Sequence, residues 1–267
     1  MSAVALAVTD GWVVAKRNLT KIKRVPDLLI FSTIQPIMFV LLFAYVFGGA
    51  IKIDGVNYRE YLMAGIFTQT VAFGAGITAI GLAEDLQKGT IDRFRSLPMS
   101  RAAVLVGRTT SDLLNNLLVV IVMSICGLLV GWRIHTDPLR GLAGFALLFG
   151  FAYAMSWISA TIGLSVKSVE VAQSAGFIWM FPLTFLSNAF VSTNSLTPWL
   201  QRVADWNPIS SIVLALRDLW GNSATTLGRG SGFPSRHPML LSVLWIVAIL
   251  VVFLPLSISK YRRAAAR

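Results

Sequence analysis

The chain has 267 residues, of which 55% are hydrophobic and only 13% charged. A soluble domain of this size carries about a quarter charged residues, and the apolar residues here gather in runs near the ~20 residues that cross a hydrocarbon core, so a soluble globular fold is excluded. The short alternating segments of a transmembrane barrel are also missing, and the net charge of +11 follows from the positive-inside rule rather than from nucleic-acid binding.

Residues 1–25 predict an amphipathic helix lying in the membrane interface. Val4, Val8, Trp12, Ala15, Leu19 and Ile22 recur at three- or four-residue spacing, while Lys16, Arg17, Lys21, Lys23 and Arg24 supply charge for anionic headgroups. A first span follows over residues 28–47, with Pro36 inside it. After a loop carrying the turn pair Asp54-Gly55, residues 61–82 form a second span in which Gly65, Gly74, Gly76 and Gly81 permit close helix approach.

Next comes the one long charged stretch between apolar runs, EDLQKGTIDRFRSLPMSR over residues 84–101. Its apolar residues Leu86, Ile91, Phe94 and Leu97 sit at near-helical spacing, which predicts a short amphipathic helix over 84–97 closed by Pro98. Residues 101–112 extend the third span, 113–130, into the water phase, and Gly127 and Gly131 make a GxxxG near its far end. Asp112, Asn115 and Asn116 stand at the inner mouth of that span, where they either line a path for substrate or simply occupy the interface.

A polar loop, 132–140, leads to a fourth span over 142–164; a turn with Lys167 and Glu170 precedes a fifth over 175–191. Phe177, Trp179, Phe181 and Phe185 enrich the fifth span in rings suited either to stacking a hydrophobic substrate or to packing. The long connection after it holds two cap-then-proline helix starts, Thr197-Pro198 and Asn207-Pro208. Ile209, Ile212, Val213, Leu216, Leu219 and Trp220 form one apolar face of a helix of about 20 Å, too short to cross. A re-entrant or interfacial helix pair is predicted within 193–238. Arg217 lies inside that apolar stretch, where it either lines an outer gate, meets lipid headgroups or snorkels to the interface. The last span, 239–258, ends in Lys260, Arg262, Arg263 and Arg267.

With both termini inside, the inner segments hold fifteen Lys and Arg against eight outside, which fixes the expected orientation. The fold class is therefore an all-α polytopic membrane protein: one domain over 1–267 with six transmembrane helices, an N-terminal interface helix and an outer helix pair between spans 5 and 6. Catalytic constellations are absent from the sequence. It has no GxxxxGK[ST] phosphate loop, no HExxH and no GxSxG, and its single cysteine, Cys126, lies in an apolar run. His135 and His237 stand alone in outer loops, so no metal site is expected. The N-terminus lacks the compact apolar core and cleavage site of a signal peptide.

The segments EDLQKGTIDRFRSLPMSR, FPLTFLSNAFVSTNSLTPWLQ and WNPISSIVLALRDLWG resemble the type-2 ABC exporter permeases, specifically the daunorubicin-resistance type, over essentially the whole chain. That resemblance implies half of an exporter in a bacterial inner membrane. Two six-helix permease subunits, identical or homologous, would dock on two ATPase subunits that carry the ATP and Mg, with no cofactor in this chain. It implies a coupling helix within 84–97, with Glu84, Asp85, Lys88, Asp92, Arg93, Phe94, Arg95 and Leu97 against the ATPase. Trp12, Lys16 and Arg17 would serve the interface helix and its lipids, Asn207, Pro208 and Arg217 the outer re-entrant pair, and Asp112, Phe177, Phe181 and Phe185 a substrate path. The residues alone leave two other readings: a charged loop that only sets topology, and an ATPase-independent transporter or channel.

Overall fold

The computed structural model describes residues 26–47, 56–89, 101–190, 193, 196–223 and 232–264. The expected interface helix, with Trp12, Lys16 and Arg17, lies outside the described residues, as do Asp92, Arg93, Phe94, Arg95 and Leu97.

Helix α1, Pro26–Leu41, continues as a π-helical turn, Leu42–Phe47, and carries Pro36 within it. Helices α2, Tyr58–Gly74, and α3, Gly76–Gln87, form one rod interrupted at Ala75. Then follow α4, Arg101–Val130; α5, Pro138–Gly163; and α6, Val169–Phe185. The connection holds α7, Pro198–Asp205, and α8, Pro208–Trp220; a short α9, Phe233–Arg236, precedes α10, Pro238–Ala264. Four of these rods are long and apolar enough to cross a membrane: Tyr58–Gln87, Leu105–Val130, Pro138–Gly163 and Pro238–Arg263. The chain is thus an all-α polytopic membrane protein.

Helix α5 is the hub, packing against α2, α3, α4, α6, α8 and α10. Small residues set the crossings. A Cβ on Gly163 would stand 2.4 Å from the Ala79 carbonyl oxygen, and one on Gly65 only 1.9 Å from the Ala189 carbonyl oxygen, so backbone meets backbone at both places. Of the GxxxG pair, Gly127 faces Met63 on α2, whereas Gly131 takes a φ of 105° and closes α4 by donating its N–H to the Leu128 carbonyl. Trp132, expected in a polar loop, is buried. Its Nε1 donates to Asn222 Oδ1 at 3.0 Å, and its ring packs in a cluster with Phe67 and Trp220, which Phe145 joins.

The fifth apolar helix runs over 169–185 rather than 175–191. Ser168 caps its start by accepting from the Val171 N–H, and its last turn contains Pro182, so the helix has already ended where the apolar run continues. The irregular backbone that follows is buried and held from the other side of the chain. The Asn188 N–H donates to Ser210 Oγ at 3.1 Å, and the Tyr58 hydroxyl donates to the Phe190 carbonyl at 3.4 Å. Non-helical backbone at membrane depth survives only with such partners.

Helices α7 and α8 begin at their cap-proline pairs but have different environments. Trp199, Val203 and Trp206 leave α7 with one exposed face. On α8 the polar side burial is as complete as the apolar: Ser210, Ser211 and Arg217 are enclosed together with Ile209, Ile212 and Leu216. An interfacial helix with one solvated face is therefore not what α8 is. Asn207 caps α8 by accepting from the Ile209 N–H at 2.8 Å, and its Nδ2 donates to the Leu183 and Leu186 carbonyls at 2.7 and 2.8 Å. One side chain thus joins the end of α6 to the start of α8, with Pro208 supplying the first helical residue.

Arg217 departs from two of the expected roles. It is 1% exposed, so it neither reaches headgroups nor snorkels to the interface. Its Nε donates to the Tyr61 carbonyl at 3.0 Å and its Nη2 to the Asn188 and Ala189 carbonyls at 3.0 and 3.2 Å, while the guanidinium lies 3.3 Å over the Tyr61 ring. Carbonyls and a ring face share the cost of desolvating the cation.

Lysine cannot reproduce that fork. Arg217→Lys should lower stability by about 2–4 kcal/mol, read as a fall in melting temperature of the solubilised protein; an unchanged melt would mean the carbonyls do not need the guanidinium. Gly65→Ala should cost about 1–3 kcal/mol by overpacking, whereas Gly76→Ala, whose Cβ would meet nothing within 4 Å, should be neutral in the same assay.

Candidate functional site

Two features lie outside the apolar core: a cavity with amide side chains, and a cluster of charges beside it. The cavity, about 210 Å³, sits between α1, α2–α3, α4 and α6. It exists because bulk is missing there. Gly74 and Gly76 flank the Ala75 break, and Gly176 faces the space from α6. A Cβ on Gly74 would stand 2.2 Å from Asn116 Oδ1, so this glycine also makes room for that amide.

Five carboxamides line the cavity: Gln35 from α1, Gln69 from α2, Asn115 and Asn116 from α4, and Gln173 from α6. Phe39, Phe73 and Phe177 provide apolar wall. The rings continue beyond it. Phe73 lies 6.1 Å from Phe177 and 5.6 Å from Phe181, and Phe181 stacks parallel to Phe185 at 5.7 Å. Of the four residues expected on a substrate path, Phe177 lines the cavity, and Phe181 and Phe185 extend it as a half-exposed aromatic strip.

Asp112 has a different place. Its carboxylate accepts from Thr78 Oγ1 at 2.6 Å and lies 3.6 Å from Arg108 Nε, buried between α3 and α4. Arg108 also reaches Asp85 through Nη1 at 3.5 Å. Gly81 makes this possible: a Cβ there would overlap the guanidinium at 1.6 Å. Asp85, Arg108, Asp112 and Thr78 thus form one network that ties α3 to α4 one turn from the cavity.

The expected helix over 84–97 does not start at Glu84. Glu84 and Asp85 belong to the last turn of α3, Lys88 caps it, and Gly89 takes a left-handed φ of 63° that ends it. The Lys88 N–H donates to the Glu84 carbonyl at 3.0 Å and the Gly89 N–H to the Leu86 carbonyl at 3.2 Å. On the surface of α3 the Lys88 ammonium pairs with the Glu84 carboxylate. A coupling segment could therefore begin only beyond Gly89, with Glu84, Asp85 and Lys88 at its root.

Sequence reasoning noted Asn115 and Asn116 but missed Gln35, Gln69 and Gln173. The signal was present in each: an uncharged amide inside an apolar run is expensive in hydrocarbon and usually faces an interior space. Among the described residues no group of His, Cys, Asp and Glu is arranged to hold a metal ion.

Comparison with known proteins matches this architecture to one family. Residues 9–219 match the model of the ABC-2 type transporter. The chain is 31% identical over 265 residues to the daunorubicin resistance ABC transporter permease protein DrrB1 of Streptomyces coeruleorubidus, covering 99% of this chain and 89% of that one. It is 25% identical over 206 residues to the doxorubicin resistance ABC transporter permease protein DrrB of Mycobacterium tuberculosis, covering 77% and 70% respectively. A match over most of the chain, taken with its membrane helices, shows that this protein belongs to the ABC-2 type transporter family, with permeases of daunorubicin and doxorubicin resistance among its relatives.

Proposed function

We propose that the chain is the permease subunit of an ATP-driven exporter that moves a hydrophobic or amphipathic substrate out of the cell. The observation that carries this reading is the family match over residues 9–219, which includes the charged stretch and nearly all of the α7–α8 pair. Two permease subunits would work with two ATPase subunits, and ATP and Mg would bind to those partners. Pro26–Phe47 and α6 would complete six spans, both termini would lie in the cytoplasm, and α7–α8 would form the outer re-entrant pair.

In this reading the segment after Gly89 is the coupling element. Asp92, Arg93, Phe94, Arg95 and Leu97 would sit in a cleft of the ATPase, charges pairing at the rim and the two apolar side chains filling the centre. The segment joins α3 to α4, and both ends of that join are already bound together by Asp85, Arg108 and Asp112. A displacement of the segment would therefore reach α3 and α4 as one unit, beside the amide-lined cavity.

The test is co-expression with the partner ATPase. Arg93→Glu combined with Arg95→Glu should lower ATPase copurification and substrate-stimulated hydrolysis by about tenfold while membrane insertion stays normal. Full transport by that variant, or flux through the chain reconstituted without any ATPase, would overturn the reading.

A further inference from the structure

The cavity holds an unresolved polar demand. Gln69 is 7% exposed and Asn116 is 2% exposed, both face the space, and neither side chain makes a hydrogen bond to another described residue. A buried amide without a partner is costly, and native interiors satisfy almost all of them. Two such groups on facing helices, with Gln35, Asn115 and Gln173 around the same space, describe a site whose bonds are completed by something that enters it.

The chemistry of that occupant can be read from the lining. Among the described residues that line the cavity none is charged. The nearest ions, Arg108 and Asp112, are engaged with each other and with Asp85 and Thr78. A charged ligand group would be desolvated there without a counter-ion. A carboxamide offers two donors and an acceptor on one plane, which suits hydroxyl groups that both donate and accept. Phe39, Phe73 and Phe177 give flat apolar surface for the C–H face of a ring. At about 210 Å³, the cavity falls short of the roughly 300–1,000 Å³ of pockets that enclose a drug-sized molecule. It accepts a head and leaves the remainder outside, where Phe181 and Phe185 continue the wall half-exposed.

We propose that this cavity binds the uncharged, hydroxyl-bearing headgroup of an amphiphile, a glycosyl group above all, with the apolar part of the molecule lying along Phe177, Phe181 and Phe185. Its role as a substrate site rests on the export reading; the binding itself does not. Gln69 and Asn116 are the central contacts, reaching the headgroup from α2 and α4.

The experiment uses the full chain in lipid nanodiscs without an ATPase. The probes are three 4-methylumbelliferyl glycosides of similar size: the uncharged β-D-glucoside, the glucuronide, in which a carboxylate replaces the C6 hydroxymethyl, and the glucosaminide, in which an ammonium replaces the C2 hydroxyl. Anisotropy is read against empty nanodiscs. The glucoside should bind saturably, and the anionic and cationic analogues at least about tenfold more weakly. Gln69→Leu and Asn116→Leu should each weaken glucoside binding by about three- to tenfold without lowering the melting temperature, because neither amide bonds to another described residue. Equal or tighter binding of either charged analogue would overturn the proposal, and so would glucoside binding no greater than that of empty nanodiscs, which would leave the amides to water. If the glucoside binds but is not moved by vesicles that also contain the partner ATPase, the export reading fails and the site stands.

Discussion

The guanidinium of Arg217 has to be stabilised in a place water does not reach, and the way this is done holds the rest of the bundle. Its donors go to carbonyls on two separate stretches, Tyr61 on α2 and Asn188 and Ala189 in the irregular backbone after α6. Those carbonyls in turn have good partners only because α8 is buried against α2 and α5. Gly65 lets the 189 backbone come within reach, and Asn207 secures the start of α8 to the end of α6. Remove the arginine and three elements lose their common point together. A buried cation is weak evidence for stability by itself; here it satisfies backbone groups that have left the helical ladder.

The amide-lined cavity sits at the opposite extreme of packing. Around Ala75 the second rod is interrupted and the side chains shrink to glycine, and the polar groups that face the gap are amides rather than ions. The ions nearby are spent on holding α3 to α4. Around this cavity the charges fasten helices, while uncharged amides face the space between them. A cavity built in this way has low electrostatic appetite, which distinguishes it from the proton-relay and ion sites of carriers that place carboxylates at membrane depth.

Much of the architecture was legible in the sequence because it is written in local patterns. Apolar runs near span length announced the membrane helices, and Thr197-Pro198 and Asn207-Pro208 announced two helix starts to the residue. Arg101–Val130 emerged as a single helix because nothing in that stretch breaks it. What stayed hidden depends on distant chain. Arg217 looked like a residue bound for water, since its carbonyl partners come from 156 and 28–29 positions away. The fifth helix was placed six residues too late because the apolar run outlasts the helix that Ser168 starts and Pro182 weakens. Gly89 was read through as helix although its left-handed turn separates Glu84 and Asp85 from the segment beyond. The five amides belong to four helices, and no local window contains more than two of them.

Helix α4 has a mechanical consequence of its own. It is a single helix of 30 residues with no proline and no break, which at 1.5 Å per residue makes a rod of about 45 Å. The hydrocarbon core is only about 30 Å thick. At full length the rod exceeds that thickness by about 15 Å. Arg101 is at one end of this lever, and Asn115 and Asn116 are about 21 Å along it. A tilt imposed at the Arg101 end has no joint in which to dissipate before it arrives at the two amides. An unbroken helix therefore ties the position of its Arg101 end to that of the two amides that line the cavity, about four turns away.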